Sequence, residues 1–297
     1  MNLTFCRTLK ALCALIVVGV LTACGSSSTV DPFKPTRVIG LGDGYNDTTA
    51  TVRETGSTTG TVVGQVASYF GQTNIVYQAS AGAKVSDLAT QINALTGLNS
   101  GDLVVIAVGT FDVKESTNAA TAAAALVTQI QRLLDAGVTH VLVMPVLEVS
   151  RTPWARTNSF DPTATPTSSL TNTFNTAVNQ AISNAFGGRT PNRVIYAGSS
   201  GVAPLFLTAT SSTTYSPFTD TGYSSTVATG TTPACGATTL ASNTAFATAG
   251  VSGCDAGGVG VNTSYTTMLF ADGIHLTPVG NRWVAQYLYN ATAQGWR

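Results

Sequence analysis

The sequence predicts an α/β fold, a three-layer α/β/α sandwich around a mostly parallel central sheet. Three observations carry that expectation. Short, β-branched apolar runs alternate with longer helix-compatible stretches from Arg37 to Tyr196, the order expected of successive βαβ units. One run, Leu103-Val-Val-Ile-Ala-Val108, is apolar without a break, which suits a strand covered by helices on both faces. Gly- and Asp-containing segments follow the runs that end at Leu41 and Val108, the end of an open α/β sheet where ligands bind.

In chain order, the predicted strands are Arg37–Leu41, Asn74–Tyr77, Leu103–Val108, His140–Met144 and Arg193–Tyr196. The predicted helices between them are Thr59–Phe70, Val85–Leu95, Asn118–Ala136 and Ser168–Phe186. A last helix, Val279–Tyr289, carries Trp283, Tyr287 and Leu288 on an apolar face. The rhythm breaks after Tyr196. Residues 211–267 are rich in Thr, Ser, Gly and Ala and weakly patterned. So long a loop is unusual in a compact domain, and it reads as a late insertion in one domain spanning 37–297. No internal repeat is evident.

The N-terminus has another character. Arg7 and Lys10 are the only charges before Asp31, and Ala11–Val20 is apolar. That run is too short for a bilayer, which needs about 20 residues. With the small residues that follow, residues 1–23 read as a signal peptide. The segment Leu21-Thr22-Ala23-Cys24 resembles a bacterial lipobox. The resemblance implies that Cys24 is lipidated and becomes the new N-terminus, and that Gly25 directs the protein to the outer membrane. An ordinary secretory signal with an incidental cysteine is the alternative. Residues 24–36, polar and with Pro32 and Pro35, read as a linker between anchor and domain. The expected location is the bacterial cell envelope, with the membrane as partner through Cys24.

Composition narrows the function. Removing Arg7 and Lys10 leaves 12 basic against 14 acidic residues, with no basic block, which argues against nucleic-acid binding. Five cysteines are present, and two of them, Cys235 and Cys254, remain once the signal and the anchor are set aside. In an oxidising compartment they read as a disulfide, with two free thiols as the alternative. Neither a His-x-x-x-His pair nor an acidic cluster suggests a metal, and no cofactor is expected. No Gly-x-Ser-x-Gly elbow occurs, which disfavours the α/β-hydrolase fold. Gly40-x-Gly42-x-Gly44 follows a strand but lacks the dinucleotide-binding spacing.

The segments at the expected ligand-binding end are Gly42-Asp43-Gly44-Tyr45-Asn46-Asp47, Ala81-Gly82-Ala83, Gly109-Thr110-Phe111-Asp112 and, near the C-terminus, Asp272-Gly273-Ile274-His275. Four such segments, in this order and on these elements, resemble the SGNH hydrolases, the GDSL lipase/esterase family. The resemblance covers nearly all of 37–297 and implies that family's flavodoxin-like sandwich. It also implies that His275 and Asp272 form the base pair of an active site, with Gly44 and Gly82 lending N–H groups to an oxyanion hole. The segment Thr232-Pro233-Ala234-Cys235 is similar to one in a subgroup of these esterases. Two positions depart from the pattern: the nucleophilic Ser falls on Gly44 and the oxyanion-hole Asn on Phe111. Glycine cannot attack a carbonyl, and a lost oxyanion donor costs about 10²–10³ in rate.

The residues therefore predict a catalytically degenerate member that acts by binding an ester, lipid or acylated sugar. The alternative is a divergent esterase in which the His275–Asp272 base acts on water or on a displaced serine, with Ser80 better placed than Ser57 or Ser86. Asp43 as a carboxylate nucleophile is the remotest option, since Asp in a Gly-rich turn is usually structural. Phe111 reads either as core or as a plug in the cleft. His140, at a strand start, reads as structural.

Overall fold

The computed structural model describes residues 32–47, 60–165, 168–189, 192–199, 229–233, 268–271 and 273–296. The chain divides into residues 1–33 and residues 34–297, and the second unit is the subject below. The predicted signal peptide, Cys24, most of the linker, Cys235, Cys254 and Asp272 lie outside the described residues.

Five parallel strands form the central sheet in the order β2-β1-β3-β4-β5. They are β1 Arg37–Gly42, β2 Ile75–Tyr77, β3 Asp102–Ala107, β4 His140–Val143 and β5 Val194–Tyr196. Each predicted strand is present, shifted by a residue or so at its ends. In β1, Val38 lies opposite Ile75 on one side and Leu103 on the other. The strand order reverses at β1, so the loops after β1 and β3 open at the switch point where such sheets bind ligands.

The helices are α1 Val62–Tyr69, α2 Leu88–Asn93, α3 Thr110–Lys114, α4 Ala119–Asp135, α5 Pro153–Thr157, α6 Leu170–Phe186 and α7 Pro278–Ala291. Caps fix where several begin. Thr61, Asn118, Ser169 and Thr277 accept the N–H groups of Gly64, Thr121, Asn172 and Gly280, satisfying donors that an open helix end would leave bare. The predicted helix 85–95 is split: a 3-10 turn over Val85–Asp87 precedes α2, and Asp87 accepts the Lys84 N–H at 2.8 Å.

Helices α3 and α5 were not expected from the pattern, being a single turn or so each. Strands β6 Thr229–Pro233 and β7 Met268–Phe270 form a separate parallel pair. Strand β6 lies within the weakly patterned stretch 211–267. Its threonines are β-branched and suit a strand, but their polarity hides the period.

Alternation along β1 builds the two helix layers. Ile39 and Leu41 join Val104, Ile106, Leu126, Ile130, Val178 and Ile182 in the larger core, under α4 and α6. Gly40 faces the other layer: a Cβ there would come within 2.7 Å of Val63 on α1. On that face α1 packs with α7, whose Trp283, Val284 and Leu288 are fully buried.

At the opposite end of the sheet, Arg37 forks onto the buried Asp102, with Nε to Oδ1 at 2.8 Å and Nη2 to Oδ2 at 2.7 Å. The Asn99 N–H donates to the same carboxylate at 2.9 Å. A fork of this kind fixes geometry as well as charge, and it sets the register between β1 and β3. His140 is half-buried against Trp296, ring centroids 4.8 Å apart. Burial, then the charge of Arg193, hold its pKa down at about 4.

Candidate active site

β1 ends at Gly42, whose φ of +113° lies where side chains are disfavoured. A Cβ there would overlap the Ala107 carbonyl oxygen of β3. The Gln91 amide clamps the residue, accepting the Gly42 N–H at 2.7 Å and donating to its carbonyl at 2.8 Å. The chain then turns through residues 43–47, with the Asp43 N–H donating to the Ala107 carbonyl at 2.7 Å.

The polar residues of this turn tie the loops together. Asn46 Nδ2 donates to the Leu41 and Val105 carbonyls at 3.0 and 3.2 Å, and its Oδ1 accepts the Val63 N–H at 2.9 Å. Asp47 accepts the Ala81 N–H at 2.8 Å, and the Ser80 N–H donates to the Gly42 carbonyl at 3.0 Å. From the third loop, Asp112 accepts the Val85 N–H at 3.0 Å. Burial raises the Asp112 pKa, opposed by that N–H and by Lys84. The N–H groups of Gly44 and Gly82, the predicted oxyanion donors, donate to no described residue.

The histidine loop follows β7. Phe270 bridges to Leu276, and the Ala271 N–H donates to the His275 carbonyl at 2.8 Å. The Trp154 N–H of α5 reaches the Gly273 carbonyl at 2.8 Å. These bonds hold a tight loop that carries His275 to the turn after β1. Tyr45 closes over it: its hydroxyl donates to the Ile274 carbonyl at 3.2 Å, and its ring meets the His275 ring edge-on at 6.1 Å.

His275 and Gly44, far apart in sequence, are in contact. A Cβ built on Gly44 would overlap His275 Nε2 and stand 2.6 Å from its Cδ2. The imidazole thus occupies the space that a side chain at position 44 would need. Three side chains of these loops are buried. His275 is 4% exposed, Tyr45 5% and Phe111 3%. Phe111, expected at the oxyanion-hole Asn position, belongs to the larger core, so of the two readings for it the core one holds.

Asp43 sits beneath the same turn, 1% exposed. Burial pushes its carboxyl up to about 6, against the opposing pull of the Tyr45 N–H, a positive charge on His275, and Thr110. The Tyr45 N–H approaches Oδ1 at 3.3 Å, while no donor meets hydrogen-bond geometry at Oδ2. A buried carboxyl left short of partners costs stability when it is charged.

A model of the GDSL-like lipase/acylhydrolase family matches residues 36–288. The chain belongs to the GDSL family. Solved structures similar to it include a lipolytic G-D-S-L family protein from Veillonella parvula, at 11% identity, covering 84% of this chain and 94% of that one, with a TM-score of 0.45. A Bacillus subtilis protein is similar at 10% identity over 88% and 56% of the two chains, TM-score 0.47. A GDSL-like lipase from Bacteroides thetaiotaomicron is similar at 16% identity over 55% and 69%, TM-score 0.36. No curated protein matches the sequence.

Against the GDSL pattern, the structure brings together Gly42, Asp43, Gly44 and His275 and links the loop of Gly82 through Asp47. Gln91 was missed from the sequence. Gln91 had a signal: a polar residue amid Leu88, Ile92 and Leu95 on a buried helix face. Thr110 lies in the third segment, and its interaction with Asp43 comes only with the assembled loops.

One consequence concerns position 44. Gly44→Ser introduces the serine that the resemblance expects there but collides with the imidazole, which must rotate or shift. Overpacking of this kind costs about 1–3 kcal/mol. The urea midpoint of Gly44→Ser is therefore expected below that of the wild type, and an unchanged midpoint would mean the ring moves freely.

Proposed function

We propose that this chain is a GDSL-family lipoprotein of the cell envelope that has exchanged ester turnover for binding. The observation that carries this reading is the packing of His275 against Gly44. The family's base occupies the place of the nucleophile, so neither a side chain nor a water fits between them there. Phe111 in the core leaves the oxyanion hole without its side-chain donor. On this reading Cys24 bears the lipid that holds the protein at the outer membrane, and Cys235 pairs with Cys254 within the 211–267 insertion. The bound molecule is of the ester, lipid or acylated-sugar class.

The test is covalent trapping. Incubation with a serine-reactive fluorophosphonate, followed by intact mass measurement, is expected to give no adduct. An adduct on any serine, Ser80 above all, would contradict the proposal.

One observation favours the second reading, a divergent ester hydrolase. His275 is retained, and the N–H groups of Gly44 and Gly82 are free of described partners. In that case His275, oriented by Asp272, would act on a water or on Ser80. The burial of His275 speaks against it, because a general base must reach its proton within about 3 Å.

A further inference from the structure

Away from the His275 loop, the fold carries an open groove. A groove of about 420 Å³ lies at the rim of the sheet away from these loops, between the end of α4 and the start of β5. Its walls include Gln131, Leu134, Phe186, Arg189, Arg193 and Val194. A second hollow of about 370 Å³ shares Phe186, Arg189 and Val194 with it and adds Asn179, Ser183 and Asn192.

Two arginines and one aspartate give the groove lining a net positive charge. The Arg189 guanidinium stands 5.5 Å over the Phe186 ring. Neither Arg189 nor Arg193 joins an ion pair among the described residues, where the pairs are Arg37–Asp102 and Lys84–Glu115. Asp135, the acid of the groove, is engaged by Gln131, whose Nε2 donates to its Oδ1 at 2.7 Å.

We propose that this groove binds a phosphate-bearing ligand, with the phosphate between Arg189 and Arg193 and an apolar part against Phe186 and Val194. The planar guanidinium presents paired N–H donors that match phosphate oxygens two at a time. Asn179, Ser183 and Asn192 offer neutral donors to the rest of such a ligand. A lipid headgroup and a soluble phosphate ester share this chemistry.

Calorimetric titration of the full chain in neutral detergent distinguishes the two sources. The titrants are inorganic phosphate, glycerol 3-phosphate and short-chain phosphatidylglycerol. Saturable binding of at least one is expected, weakened about tenfold or more by Arg189→Ala and further by the Arg189→Ala/Arg193→Ala pair. Arg189→Lys should bind with intermediate affinity, since it keeps the charge but loses the fork. Lys34→Ala, outside the groove, should bind as the wild type does. Saturation by phosphatidylglycerol alone assigns a lipid headgroup, and saturation by the soluble phosphates assigns a free ester. No saturation by any titrant overturns the proposal. So does a double variant, folded by its thermal midpoint, that binds as the wild type does.

Discussion

Gly42→Ala is expected to abolish soluble expression or to lower stability by more than about 4 kcal/mol, a cost reserved for a few mechanisms. Two of them act here together. The backbone at Gly42, φ +113°, is one that an L side chain holds only at a cost of about 1–3 kcal/mol. The added methyl would also overlap the Ala107 carbonyl oxygen and stand 2.5 Å from its carbon. That obstacle is backbone of the neighbouring strand, so relief would require parting β1 from β3. The Asp43 N–H bond to Ala107 and both Gln91 bonds to Gly42 would be lost in the process. The check is the urea midpoint of whatever soluble protein can be recovered. A midpoint near the wild type's would show that the turn after β1 is pliable, and with it the placement of Gly44 beneath His275.

Asp43→Asn is expected to do the reverse: to stabilise the protein near pH 7.5 by up to about 3 kcal/mol and to change it little near pH 4. The buried Asp43 carboxyl titrates at about 6 in the folded protein, against 3.8 for the free side chain. A raised folded pKa means that the acid's contribution is fully present below about 3.8. It is lost as pH rises through about 6. Asparagine removes the charge at every pH and keeps an oxygen for the Tyr45 N–H. His140 works in the other direction. Its pKa is held at about 4, below the ordinary 6.5, so its contribution is present above 6.5 and lost as pH falls through 4. The wild-type profile mixes the two trends, and the difference between variant and wild type isolates Asp43. Thermal midpoints of both proteins across this pH range decide the matter. A gap that does not widen with pH would mean that the carboxyl is not the strained group described above.

The fold was legible because its signals are local and repeated. Five apolar runs each form a strand, and β3, uninterrupted from Leu103 to Ala107, lies at the middle of the sheet. Boundaries were less legible because caps decide them: Thr61 starts α1 later than the apolar pattern does. Short elements such as α3 and α5 carry too few residues for a period, and β6 hides its strand in polar threonines. At the candidate site, the resemblance of four segments to the GDSL pattern pointed to Gly44, Gly82, Phe111 and His275. It did not show that the imidazole packs against Gly44, because that contact depends on a loop fixed by Trp154, Tyr45 and Phe270. Nor did it show the strain on Asp43, which was read as an ordinary turn residue. Burial is a property of the assembled loops, and no window of sequence contains it.

On the proposed reading, His275 fills the place of the missing nucleophile and leaves the protein without ester turnover. Hydrolysis of short- and medium-chain p-nitrophenyl esters, measured beside His275→Ala, tests it most directly. The two proteins are expected to release p-nitrophenol at the same rate, no faster than buffer with an inert protein. Turnover by the wild type that disappears in His275→Ala would contradict the account and restore the site to catalysis.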